Sequence, residues 1–266
     1  MKIFPFRLPA GFCNKLKGMD EDMRIQYVCI CNRGLIRKNN QDNLVWERHF
    51  LPKGNDGLPE PVSGEIQLKG GILFGVFDGM GGEPRGDAAA YIAAKTAAQW
   101  EIHADEKGLR ELCHTMNSEI CNFARLNRLS TCGTTAAMLL ADSGQMIGCN
   151  LGDSRIYLFR EGCLTQLSED HVLPVFTGKK SPLLQFLGIP EYEMVLEPGL
   201  FTQEFRPKDL FMICSDGLTD MMTEDAINTV FRDPAPIEEK AQFLLDGVLA
   251  SGGKDNITFI LIKRSD

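Results

Sequence analysis

Ile72-Leu73-Phe74-Gly75-Val76-Phe77-Asp78-Gly79 is an apolar run that empties into an acid. Its length and its β-branched and aromatic content read as a buried strand, with the aspartate at the end where a sheet opens to solvent. Downstream the pattern changes twice. Gly79-Met80-Gly81-Gly82 leads into an alanine-rich helix over about residues 86–103. A second helix over about 107–128 sets Leu109, Leu112, Met116, Ile120 and Phe123 on one face. Over 134–167 three strands follow, with turns at Asp142-Ser143-Gly144 and Arg160-Glu161-Gly162, a β-meander. Paired helices between strand blocks, in place of strict β-α alternation, predict mostly antiparallel sheets with helices packed outside.

The same strand-then-acid pattern recurs at Leu210-Phe211-Met212-Ile213-Cys214-Ser215-Asp216-Gly217, and in mirror order at Asp255-Asn256 leading into Ile257-Thr258-Phe259-Ile260-Leu261-Ile262. Carboxylates gathered at one sheet edge repel each other unless a cation neutralises them. All-oxygen ligands favour hard ions such as magnesium or manganese. The three stretches therefore predict a hard-metal site at a sheet end.

The remaining chain frames these runs. Ile25, Tyr27, Cys29 and Cys31 alternate along a strand, a polar turn covers 32–42, and Leu44-Val45-Trp46 reads as the returning strand. Residues 52–64 read as a surface loop. Residues 168–205, with Pro174, Pro182, Pro190 and Pro198, read as an irregular flap. Helices are expected near 223–231 and 236–250, with Gly252-Gly253 suited to a C-cap.

With 266 residues the chain can bury a substantial core as one large domain; residues 22–266 are expected to form it, with 1–21 a loosely ordered tail. A net charge of −8 provides no basic excess for nucleic acid. Nine cysteines, an odd number with no C-x-x-C pair and most in apolar runs, fit a reduced cytoplasmic setting. The four histidines lack zinc-site spacing. Pro5 and Pro9 interrupt any signal-like core near the start, and no stretch reaches the ~20 apolar residues of a membrane span.

Each piece also has a plain structural explanation. Asp-Gly is a common turn pair, and Asp56-Gly57 and Asp246-Gly247 read as turns only. Asn150-Leu151-Gly152-Asp153-Ser154-Arg155 reads as a tight turn between meander strands, with Arg155 free to pair with Asp153. Arg37 and Asp42 could form a surface ion pair of little energetic weight, or Arg37 could be reserved for phosphate, whose oxygens its fork matches. Two Cys-x5-Arg matches, Cys31 to Arg37 and Cys149 to Arg155, raise a thiol phosphatase as an alternative. Neither has a preceding histidine, and the second contains an acid and runs into a strand, not a phosphate-cradling helix.

Taken together, Arg37-x-x-Asn40-x-Asp42, Phe77-Asp78-Gly79-Met80-Gly81-Gly82, Gly133-Thr134-Thr135, Gly152-Asp153-Ser154-Arg155, Ser215-Asp216-Gly217-Leu218-Thr219-Asp220 and Gly253-Lys254-Asp255-Asn256-Ile257-Thr258 resemble the metal-dependent protein phosphatases of type 2C, in the family's order, over about residues 23–263. The resemblance implies an α+β, four-layer α-β-β-α sandwich of two antiparallel sheets flanked by helix pairs. It implies hydrolysis of phosphoserine and phosphothreonine in proteins by a metal-activated water, without a covalent intermediate. Two or three magnesium or manganese ions would serve as cofactors. By that similarity Asp78 bridges two ions, the Gly79 carbonyl binds the second, and Asp216 and Asp255 complete the first. Asp153 matches the ligand of a third ion, Arg37 the phosphate-binding arginine, and Asp42 a carboxylate beside the metal-bound water, while Gly133-Thr134-Thr135 would be supporting structure. Partners would be phosphoproteins and a serine/threonine kinase or its targets, with the enzyme a monomer and neither nucleic acid nor membrane involved. Three departures stand out: Met80 replaces the histidine of eukaryotic members, Gln41 stands where many members carry Glu, and the 168–205 segment is short. A catalytically silent relative would be expected to lose core acids, and all three are present.

Overall fold

The computed structural model describes residues 23–80, 85–173 and 181–265; the expected 1–21 tail lies outside the described residues. In chain order the first half runs β1 (Arg24–Asn32), β2 (Asp42–Trp46), β3 (His49–Phe50), β4 (Val62–Gln67), β5 (Ile72–Asp78), α1 (Gly86–Gln99) and α2 (Glu106–Leu126). The second half runs β6 (Ala136–Asp142), β7 (Gln145–Leu151), β8 (Arg155–Arg160), β9 (Cys163–Gln166), β10 (Gly199–Glu204), β11 (Leu210–Cys214), α3 (Asp216–Thr219), α4 (Glu224–Arg232), α5 (Ile237–Ala250) and β12 (Ile257–Ser265). The strands form two six-stranded antiparallel sheets, ordered β4-β1-β12-β11-β8-β9 and β10-β7-β6-β5-β2-β3. Three apolar layers hold the expected four-layer sandwich together.

Alternation along the strands creates those layers. In β1, Ile25, Tyr27, Cys29 and Cys31 enter the core between the sheets, where they meet Phe74, Val76, Leu139, Phe211 and Ile260. Val28 and Ile30 of the same strand point the other way and pack under α4 and α5 with Met212, Phe259, Ile227, Leu244 and Val248. On the second sheet Leu73, Phe77 and Met138 face α1 and α2. Strands buried on both faces read as continuous apolar runs, which is why β5 and β11 stood out. Helix α1 presents Ala89, Ala90, Ala93, Ala94 and Ala97, whose small side chains let it lie close on the sheet. Helix α2 starts where Asp105 accepts a 2.7 Å bond from the Gly108 amide, and it buries Leu109, Leu112, Met116 and Ile120 as its spacing predicted.

Several expectations change. Strand β2 does not return beside β1; it pairs with β5 and β3 in the other sheet. The expected meander is likewise divided, since β7 pairs with β6 and β10 while β8 pairs with β11 and β9. Residues 33–41 and 152–154 are therefore links between sheets. Both sit at one end of the sandwich, because each joins a strand end of one sheet to a strand start of the other. Strand β4 occupies the end of the expected 52–64 loop, and β10 the end of the 168–205 segment. Asp246-Gly247 lies inside α5 instead of forming a turn; the apolar face of the surrounding helix, Ala241, Leu244 and Val248, outweighs the turn preference of the pair.

Candidate active site at the end of the sandwich

The 33–41 link is fastened to the start of β12 by one side chain. Asn256 Nδ2 donates to the Arg33 and Asn39 carbonyls at 2.9 and 3.1 Å, and its Oδ1 accepts from the Gln41 amide at 2.9 Å. The Leu35 amide adds a 2.8 Å bond to the Gly253 carbonyl. Gly34, at φ 76°, passes so close that a Cβ would collide with the Asp255 carbonyl oxygen. This fastening sets Arg37 beside Asp255, where a guanidinium Nη2 meets Oδ2 at 2.6 Å. The bond to Asp255 holds Arg37 firmly charged, with the acids Asp78 and Asp216 acting in the same direction against burial.

Strand register supplies the next pair. Asp42 opens β2 directly opposite Asp78, which closes β5. The Asp78 amide donates to Thr135 Oγ1 at 3.1 Å, the Thr135 amide donates to the Asp78 carbonyl at 2.9 Å, and Thr135 Oγ1 lies 2.7 Å from Ser154 Oγ. Thr135 thus ties Asp78 to the link that carries Asp153, the supporting part expected of its segment. Asp42 is 2 % exposed. Ser215 Oγ donates to its Oδ2 at 3.0 Å across the gap between sheets. Burial first, then the nearby Asp216 and Asp255, raises the Asp42 carboxyl to about 7 against the hydrogen bonds from Thr258 and Ser215.

Asp216 is the first residue of α3, and Gly217 allows it to close on β12: a Cβ there would strike the Asn256 carbonyl oxygen and lie 3.4 Å from Asp255 Cβ. A Cβ on Gly79 would likewise run into the Gly86 and Gln41 carbonyl oxygens. Only glycine fits either position, which leaves backbone close to the acids.

A cleft of about 460 Å³ results, walled by Arg37, Gln41, Asp78, Gly79, Met80, Thr135, Asp153 and Asp255, with Ser181, Pro182 and Leu183 from the irregular segment. Of the sequence-predicted residues, Arg37, Asp78, Gly79, Asp153 and Asp255 line it, and Asp42 and Asp216 are buried. The donor set is all oxygen, and the charges of Asp216 and Asp255 act on Asp42 while those of Asp255, Asp78 and Asp216 act on Arg37. That chemistry suits hard divalent cations. Among the described residues no three His, Cys, Asp or Glu side chains form a preassembled ion cage; Asp255 is drawn to Arg37 instead.

Other expectations are redirected. Arg155 pairs with Asp170, not Asp153, through bonds of 2.6 and 3.0 Å, and adds one to Tyr157. It anchors the start of the irregular segment, with Nε, Nη1 and Nη2 all engaged. Cys31 is buried, accepts bonds from Asn40 and Thr258, and has its thiol pushed up to about 12 chiefly by burial. Cys149 is buried against Cys113, with its thiol raised well above the ordinary range. Neither Cys-x5-Arg match provides a thiolate. Sequence reasoning gave no role to Asn256 or Ser215; their only local signal was a polar residue beside each strand-end acid.

The sequence profile of the family Protein phosphatase 2C matches residues 64–250. The chain belongs to the protein phosphatase 2C family. It is 31 % identical over 257 residues to the serine/threonine phosphatase stp of Listeria monocytogenes, covering 88 % of this chain and 93 % of that protein. It is 28 % identical to the serine/threonine protein phosphatase PstP of Mycobacterium tuberculosis over 89 % of this chain and 44 % of that longer one. A crystal structure of the PstP catalytic domain with two manganese ions superposes with a TM-score of 0.74 at 26 % identity, covering 92 % of this chain and all of that one. The Staphylococcus aureus phosphatase Stp1 shares the 2C fold at a TM-score of 0.74 and 22 % identity.

Proposed function

We propose that this 2C-family chain hydrolyses phosphoserine and phosphothreonine in proteins, using a water activated by two divalent ions, magnesium or manganese, with no phosphoenzyme. The observation that carries the reading is the acid-walled cleft in which Arg37 meets Asp255 at 2.6 Å. The serine/threonine specificity printed for the Listeria and Mycobacterium relatives, and the two manganese ions of the PstP structure, support it.

Asp78, the Gly79 carbonyl, Asp216 and Asp255 would hold the two ions, and Asp153 would contribute to a third. Such ions, when bound, acidify a water and offset the charge that develops on phosphorus. Arg37, a permanent cation with a planar fork, would leave Asp255 to bind phosphoryl oxygens and orient the phosphate. Asp42, held by Ser215, would orient the attacking water. Met80 offers no proton, so the leaving alkoxide would be protonated by water.

The test uses Asp78→Asn and Asp216→Asn, which keep side-chain size and remove charge. Calorimetric manganese affinity and manganese-dependent turnover of an aryl phosphate should both fall by at least ~100-fold. Full turnover in either variant would overturn the assignment. Chelation should abolish activity of the parent enzyme, and alkylation of its cysteines should not; the opposite result would restore the thiol route.

A further inference from the structure

A second cavity, of about 450 Å³, adjoins the catalytic cleft. It is lined by Asn39, Asn40, Gln41, Asn55, Asp56, Arg85 and Asp87 with Gly54. Gln41 lines both cavities, so the two share a wall. Most of the polar wall is already engaged. Asn40 Nδ2 donates to Asn55 Oδ1 at 3.0 Å, and Asn55 in turn holds the Gly57 amide at 2.9 Å. Asp56 faces Arg33 at 3.4 Å. Asp87 lies in the first turn of α1, where the helix dipole favours an anion. Arg85 differs: its guanidinium makes no ion pair or side-chain hydrogen bond with any described residue. Its backbone is left-handed, φ 69° and ψ 35°, which residues with a side chain seldom adopt. The next residue locks that position: a Cβ on Gly86 would lie 2.8 Å from the Met80 carbonyl oxygen and 3.0 Å from Gln41 Nε2. The Arg85 backbone is therefore held at a set place beside both cavities.

We infer that this second cavity seats the polypeptide flanking the target phosphoresidue, and that Arg85 pairs there with an acidic side chain of the substrate protein. The inference rests on the phosphoprotein phosphatase reading and adds a substrate class to it. A peptide needs donors and acceptors along its backbone, which the side-chain amides of Asn39 and Gln41 supply together. Asp87 also lines the cavity but belongs to the start of α1, while Arg85, which has no ion pair among the described residues, favours a carboxylate beside that path. A phosphate at Arg37 and a carboxylate at Arg85 would fix a peptide at two points, giving it direction across the shared wall at Gln41.

The experiment compares phosphothreonine peptides of about ten residues, identical except for Asp, Ala or Lys placed two to four positions to either side of the phosphoresidue. On one side, the parent enzyme with manganese should prefer Asp to Ala by about fivefold in kcat/KM, mainly through KM, and Lys should be poorest. The preference should shrink as salt is raised from ~0.05 to ~0.5 M. In Arg85→Gln the Asp-to-Ala ratio should approach one, and in Arg85→Glu the order should invert to favour Lys. Because each ratio is taken within one enzyme, a change in overall folding cancels. Equal rates for all peptides, or an unchanged ratio in Arg85→Glu, would overturn the role of Arg85 alone. Failure of the parent enzyme to hydrolyse both aryl phosphate and every peptide would instead sink the phosphatase reading, and this inference with it.

Discussion

Asn256 shows how little of a site is visible one residue at a time. Asp78, Asp216 and Asp255 could be picked out because an acid ending or opening an apolar strand is a local pattern. Asn256 follows such an acid, yet its work is done on Gln41, Asn39 and Arg33, up to 223 positions away. Asn256→Ala leaves two carbonyls and an amide without partners. It should lower unfolding free energy by about 1–3 kcal/mol in urea titrations and lower aryl phosphate turnover at least tenfold, because Arg37 loses its fixed place. Turnover within twofold of the parent would show that the link does not depend on this side chain. Gly217→Ala acts by sterics alone: its methyl meets the Asn256 carbonyl, so a loss of about 2 kcal/mol or more is expected in the same titration. Ser215 and Thr135 belong with Asn256, as their partners Asp42 and Asp78 lie 173 and 57 positions away.

At the scale of elements, the two links between sheets matter more than any strand. The 152–154 link carries Asp153, and Gly152, at φ 99°, donates its amide to His171 Nδ1 at 3.3 Å. Burial lowers the His171 pKa below 6.5, partly opposed by Glu169 and Asp170. A neutral ring accepts that bond and a protonated one cannot. The folded-state pKa is depressed for a base, so the contribution is intact above about pH 6.5 and is lost as pH falls towards the folded value. NMR titration should place the imidazole below 6.5, and His171→Gln should flatten that limb of the stability profile; an imidazole titrating at or above 6.5 contradicts the contact. Sequence pattern located the flanking strands and not the links, since a polar turn looks alike whether it closes a hairpin or crosses between sheets. Asp246-Gly247 erred in the other direction, a local turn signal overruled by the buried face of α5.

For the molecule as a whole, the acids at one end of the sandwich carry like charge that a bound cation would relieve. Manganese at ~100 times its dissociation constant should stabilise the fold by about 2.7 kcal/mol, which for a chain of this size corresponds to roughly 5–10 °C in Tm. Differential scanning fluorimetry with and without chelator checks this, and Asp78→Asn should lose most of the shift. An equal shift in the variant would place the stabilising ions elsewhere. Far from that end, Arg160 and the fully buried Asp209 form a 2.7 Å pair that ties β8 to the turn before β11. Arg160→Ala should cost about 3 kcal/mol because it strands a buried carboxylate, without altering manganese affinity in calorimetry.

Local pattern was enough for the central strands, the helix faces, the acids at the strand ends and the family resemblance, because each depends on neighbours within a turn or a pleat; β4 and β10, in segments that read as a loop and a flap, were not legible. Which strands share a sheet, the meeting of Arg37 with Asp255, and the second cavity beside Gln41 were settled only by packing. Those contacts join residues up to 218 positions apart, and no short-range preference encodes a contact whose stability comes from closing the whole sandwich around three apolar layers.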